Sequence, residues 1–276
     1  MDAREFLGLE PLGGAEGALG WQLVVQPEIS TPGKFLFGGC GLGAALVALE
    51  SVTGRPTIWA TAQYLSFAPT GSTVEYEVIL AMVGRRVTQG RAVATSEGRE
   101  ILTVNAALGD PQLEIREVWE QAPEVPPPDQ CPRRELPPIL ANSILDRVDV
   151  RVAHGRTFED VTFPPGDPRM ALWARVPGHL SPSAATLAIF GDYVPGGATQ
   201  PLGRRTMGRS LDNTLRVIQL EPTEWVLCDI RMHAAVGGYA QGSAFLWSER
   251  GTLLATASQS FSIRYWSEGD EKLLGR

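Results

Sequence analysis

Two antiparallel sheets, each wrapped around a central helix and joined in tandem in one chain, form the α+β architecture that this sequence predicts. Three observations carry the prediction. Strand patterns recur about 152 residues apart, a Gly- and Ala-rich helix precedes each strand run, and a proline-dense break separates the halves.

The strands come first in the argument. Val74, Tyr76, Val78, Leu80 and Met82 alternate with Glu75 and Glu77, which is the period of a half-buried strand. Val226, Cys228, Ile230, Met232 and Ala234 alternate with Asp229, Arg231 and His233 in the same way, 152 positions later. Gln89-Gly90 and Gln241-Gly242 keep that offset, and the small-residue rows Gly90, Ala92, Ala94 and Gly242, Ala244 follow. The hairpin turns Glu97-Gly98-Arg99 and Arg250-Gly251-Thr252 stand 153 apart. Self-similarity at one period is the mark of an internal duplication.

Each strand run has a helix ahead of it. One candidate is Gly38 to Ser51; the other is Ser181 to Val194, with Ser181 as the expected N-cap and Pro182 at the first helical position. A small-residue strand face lets a sheet close tightly around such a helix, which is the double hot-dog pattern. The break spans Asp110 to Ile139, where Pro123, Pro126, Pro127, Pro128, Pro132, Pro137 and Pro138 remove donors and block regular structure. The expected division is therefore a first unit at 1–112, an extended linker at 113–140 and a second unit at 141–276.

Composition narrows the function classes. The 276 residues are 43% hydrophobic and 20% charged, with a net charge of −7. No basic stripe points to nucleic acid or to an anionic membrane. Cys40, Cys131 and Cys228 are odd in number and widely spaced, which argues against a disulfide framework or a metal cluster. The N-terminus has no uninterrupted apolar core, so no secretory signal is expected and a cytoplasmic location is.

The stretches FGGCGLGAALVAL, IWATAQYLSFAP, GRRVTQGRAVATSEGREIL, SLDNTLRV and LLATASQSFSIRY, in this order and spacing, resemble the bacterial type II acyl-CoA thioesterases and their thioesterase-like relatives. The resemblance implies an acyl-CoA substrate, no metal or other cofactor, and self-association as a dimer or tetramer. It also implies a catalytic trio of Asp192, Ser210 and Gln259. The family more often has Thr at the place of Ser210 and Asp-His where this chain has Asp212-Asn213.

The residues themselves say the following. Gln259 interrupts the apolar row Leu253, Ala255, Ala257, Phe261 and Ile263, so a buried amide is expected there, bonded either structurally or catalytically. Asp192 follows Ala185, Ala188 and Ile189 at helical spacing, where partial burial would make it a better base near neutral pH. Leu187, Phe190 and Val194 offer a competing apolar face that would turn it outward. Ser210 alternates with Asp212, Thr214 and Arg216 as on an ordinary polar strand face, and GRSLD is not a nucleophile elbow. Gly38 and Gly39, at the start of the first helix, offer backbone N–H groups to a thioester carbonyl, although close packing is the commoner use of glycine there.

The first repeat is an internal control. Thr57 stands for Ser210, Ala106 for Gln259, and its helix carries no acid between Gly38 and Leu49, so one site per chain is expected. His154, His179 and His233 do not cluster. A hot-dog hydratase, which wants a histidine beside an acid, finds none at 181–199; a non-catalytic acyl-binding protein is the other alternative. Arg85, Arg86 and Arg91, or Arg204, Arg205 and Arg209, offer charge to the CoA phosphates.

Overall fold

The computed structural model describes residues 2–14, 18–136, 138–156, 165–178, 181–267 and 269. The first half contains α1 (Ala3–Leu7), β1 (Glu10–Pro11), β2 (Gly20–Val24), α2 (Gly38–Thr53), β3 (Thr57–Tyr64), β4 (Thr73–Val83), β5 (Val87–Ser96) and β6 (Arg99–Gly109). The second contains α3 (Ile144–Arg147), β7 (Asp149–His154), β8 (Arg169–Arg175), α4 (Ala184–Gly191), α5 (Thr199–Leu202), β9 (Thr206–Ser210) and β10 (Asp212–Val217). It closes with β11 (Val226–Val236), β12 (Tyr239–Ser248) and β13 (Leu253–Tyr265).

The strands form one antiparallel sheet in the order β1-β2-β4-β5-β6-β3-β10-β13-β12-β11-β8-β7, with β9 added on β13. Read from its centre outward, each half repeats the other. The centre is the β3–β10 pairing, where Thr61 stands opposite Thr214 and their hydroxyls are 2.8 Å apart. These residues are 153 apart in sequence, so the pseudo-twofold axis of the duplication passes between them. Even the irregularities are duplicated: β4 bulges between Leu80 and Met82, and β11 between Met232 and Ala234. This is the double hot-dog architecture.

Helices α2 and α4 fill the concave side. All eight residues of α4 are buried, so both of its apolar faces find partners and neither turns outward. The small-residue strand rows allow the close approach. A Cβ on Gly90 would meet Leu49 at 2.7 Å, and one on Gly242 would meet Val194 at 2.9 Å. The two helices themselves cross at glycine: a Cβ on Gly39 would lie 2.8 Å from the Ala188 carbonyl oxygen and from Ile189 Cα, and one on Gly43 would lie 3.1 Å from the Ala185 carbonyl oxygen.

Two local expectations are corrected. The N-cap of α4 is Ser183, whose hydroxyl accepts from Thr186 N at 3.1 Å, rather than Ser181; the helix therefore starts at Ala184 and Pro182 precedes it. The helix also stops at Gly191 instead of reaching Val194, because Pro195 has no N–H to continue the ladder and the chain tightens into a 3-10 turn over Val194–Ala198. In the proline-rich segment, residues 110–127 have no helix or strand. That segment is not a free tether throughout. Ala122, Val125 and Cys131 pack against Trp173, Trp225 and Trp247, and Trp173 Nε1 donates to the Pro126 carbonyl at 2.9 Å.

Candidate active site

The early stop of α4 decides where the carboxylate goes. Asp192 is the C-cap residue of the helix and is 7% exposed. Its side chain points to the crossing with α2, where Gly39 N donates to Oδ2 at 2.7 Å. From the sheet, Gln259 Nε2 on β13 and Asn213 Nδ2 on β10, the latter at 3.4 Å, both donate to Oδ1. Burial is the largest influence on the carboxyl and pushes its pKa up to about 7; the three donated hydrogen bonds oppose it without cancelling it. A carboxyl in this environment can exchange a proton near neutral pH.

Gln259 lies where its alternation predicts, 2% exposed in the row Leu253, Ala255, Ala257 and Phe261, all of them buried. Its Nε2 also reaches Ser210 Oγ at 3.3 Å, so the amide links serine and aspartate directly.

Ser210 arrives by a route that alternation does not predict. It does not share a face with Asp212 and Thr214, because the chain bends at Leu211 between β9 and β10. Ser210 pairs with Phe261, whereas Thr214 pairs with Ser258, a one-residue slip in register. One extra residue flips the side chain to the other face, so Ser210 turns inward toward Gln259. Asp212 Oδ1 accepts from Ser260 N at 2.7 Å and fastens the bend. The first repeat has the same slip after Thr57, which pairs with Leu108.

Gly39 also departs from expectation. Its N–H is committed to Asp192, so in this arrangement it holds the carboxylate and does not face a substrate carbonyl. Gly38 serves close approach: a Cβ there would sit 2.8 Å from Asp192 Oδ2 and 3.1 Å from the Tyr64 hydroxyl oxygen.

Two neighbours were missed by sequence reasoning. Asn213 is 1% exposed, and the signal for it was the one used for Gln259: a single amide alternating with a buried apolar residue, Leu215. Tyr64 closes β3 of the first repeat, and no local pattern distinguishes it. Among the described residues, Tyr64 Oη, Asn213 Oδ1 and Gln259 Oε1 are buried with no partner at full hydrogen-bonding distance, and the side chains of Tyr64 and Asn213 interact with each other. These three polar atoms stand beside one carboxylate and can bond polar atoms of water or substrate.

The other candidates lie elsewhere. His154 pairs with Asp167 and His233 with Ser243, both exposed, and His179 lies outside the described residues. Arg204 and Arg205 stack on Tyr265 and Trp266. Arg91 Nε donates to Asn105. A surface cavity of about 640 Å³, lined in part by Arg175, Ser181, Pro222, Glu224 and Arg250, opens near the start of α4. Asp192 is at the opposite end of that helix, about 12 Å along its axis. Among the described residues, no helix is long and apolar enough to cross a membrane.

Comparison with known proteins fits this geometry. The acyl-CoA thioesterase N-terminal domain model matches residues 25–109, and the C-terminal domain model matches residues 122–263. A structure from Novosphingobium aromaticivorans, provisionally described as a thioesterase, is 33% identical, with a TM-score of 0.79 over 88% of this chain and 95% of that one. A hot-dog protein of unknown function from Alicyclobacillus acidocaldarius is 20% identical, with a TM-score of 0.83 over 96% of this chain and 98% of that one. An acyl-CoA thioesterase II from Mycobacterium marinum is 22% identical, with a TM-score of 0.74 over 96% and 99% of the respective chains. No protein of curated function matches the chain. With both halves of the chain matched, it belongs to the acyl-CoA thioesterase family and is a thioester hydrolase.

Proposed function

We propose that the chain hydrolyses acyl-CoA thioesters to a free acid and CoA, with Asp192 as general base. The observation that carries this reading is the buried carboxylate of Asp192, pushed up to about 7 and fixed by donors from three elements. Gly39, Gln259 and Asn213 hold the carboxylate, whose remaining lone pairs can take a proton from water. Ser210 Oγ accepts from Gln259, which leaves its own proton to donate to that water.

The water oxygen bonds to the thioester carbon as its proton passes to Asp192, and the carbonyl π electrons move to oxygen. Collapse of the tetrahedral species restores the carbonyl and breaks the C–S bond. The thiolate of CoA then takes the proton back from Asp192. Every atom is accounted for with water as the sole co-reactant.

The test is thiol release from a panel of acyl-CoA esters of different chain lengths, followed with a thiol reagent. Release by the wild type and its loss in Asp192→Asn support the reading. Tight binding of acyl-CoA without release at any chain length would instead make this an acyl-binding protein.

A further inference from the structure

We infer that Tyr64, contributed by the first repeat, donates its hydroxyl proton to the thioester carbonyl oxygen as negative charge develops there. The inference rests on the acyl-CoA reading above and adds to it a side-chain donor for the carbonyl oxygen. An oxyanion needs a preorganised N–H or O–H group aimed at it. Of the two backbone N–H groups expected to serve, those of Gly38 and Gly39, the second is spent on Asp192.

The geometry favours Tyr64 for that place. Its hydroxyl oxygen and Asp192 Oδ2 lie 3.1 and 2.8 Å from one point above Gly38 Cα. A water on the carboxylate and a carbonyl oxygen on the phenol would therefore be neighbours, as attack requires. The hydroxyl is buried with no partner at full hydrogen-bonding distance, and the Asn213 side chain is the amide that interacts with it. Burial, and after it the Asp192 charge, pushes the phenol well above its ordinary range against the opposing influence of Asn213, so it stays protonated and able to donate beside an ionised base.

The duplication supplies an independent control. The pairs Gly39–Ile189 and Gly43–Ala185 at the helix crossing are twofold mates if the helices are offset by about 146 residues, which sets Leu46 opposite Asp192. In the strands the offset is 153, as the Thr61–Thr214 pair shows. Gln259 then corresponds to Ala106, Asn213 to Ala60, and Tyr64 to Val217. The second, symmetry-related site would therefore combine Leu46, Ala106 and Ala60 with Val217. Where the acid is lost, the tyrosine is lost with it, although it comes from the other repeat. A phenol needed only to complete the sheet would have no reason to follow the acid across the axis.

Tyr64→Phe removes one oxygen and leaves the ring in place. The test compares wild type and variant in acyl-CoA hydrolysis and in binding two inert analogues, a ketone with CH2 replacing the sulfur and a thioether without the carbonyl. We expect kcat to fall about 100-fold with KM little changed. Affinity for the ketone should fall about tenfold and that for the thioether should not change. The melting temperature should stay level or rise, since a buried hydroxyl with no partner at full hydrogen-bonding distance is removed. Equal losses for both analogues, a lowered melting temperature with no change in kcat, or no loss at all would overturn the assignment. If the wild type itself neither hydrolyses acyl-CoA nor binds either analogue, the acyl-CoA reading has failed, and the role of Tyr64 falls with it.

Discussion

Asp192→Asn separates the chemical role of the carboxylate from any structural one, because the replacement keeps the shape of the side chain and removes its charge. The new side chain can keep its oxygen on the Gly39 N–H. Its NH2 group then faces Gln259 and Asn213, whose Oε1 and Oδ1 become acceptors once the amides turn over. The turned amides then aim their own NH2 groups at the places their oxygens now occupy, where water or substrate must accept.

The energetics point the same way. Burial raises the carboxyl from 3.8 to about 7, so the native state holds a proton over a window in which the unfolded chain has lost it. Wild-type stability therefore falls as pH rises from about 4 to about 7, and above that the full cost of the buried charge is present. At about 1.4 kcal/mol per pH unit this is on the order of 4 kcal/mol. Asparagine carries no charge, so the variant should be the more stable protein at pH 8, by roughly 1–4 kcal/mol, with a melting temperature several degrees higher. The advantage should fade as pH falls through the window and vanish below about 4. Turnover should go the other way, down by about 100-fold to 10,000-fold for loss of a general base. Thermal melts across pH and thiol-release assays at pH 8 measure both. Undiminished turnover would refute the base assignment, and inactivity accompanied by a lowered melting temperature at pH 8 would show the carboxylate to be a structural brace instead.

The remaining expectations are shorter. In the wild type, kcat/KM should climb about tenfold per pH unit below about 7 and level off above it, since only the ionised carboxylate accepts a proton; a pH profile of kcat/KM without a step near 7 contradicts this. Gln259→Leu should lower kcat more than Ser210→Ala does, because the hydroxyl of Ser210 is repeated by Thr57 in the half that lacks an acid, whereas Ala106 replaces the amide there; the ratio of the two rates decides. Gly39→Ala should cost on the order of 1–3 kcal/mol in a denaturant titration, since the added methyl meets backbone atoms of Ala188 and Ile189 at 2.8 Å and has nowhere to go.

How much of this was legible beforehand follows from the range of the interactions involved. The sequence by itself determined the duplication, the wrapped-helix architecture and the inward amide of Gln259. The architecture and the amide are written in neighbours two, three or four positions apart, and the duplication in the return of those patterns after 152–153 residues. It also determined the asymmetry between the halves, because substitution at equivalent positions needs only the repeat. The tertiary structure alone decided how the site closes. Pro195 sets the end of α4 and so makes Asp192 a cap instead of a mid-helix residue. The slip at Leu211 turns Ser210 inward, against its alternation with Asp212. Gly39 spends its N–H on a carboxylate 153 residues away, and Tyr64 enters from the other repeat. These are contacts between elements remote in sequence, fixed by a helix crossing and a strand register, and no local pattern encodes where two distant elements will meet.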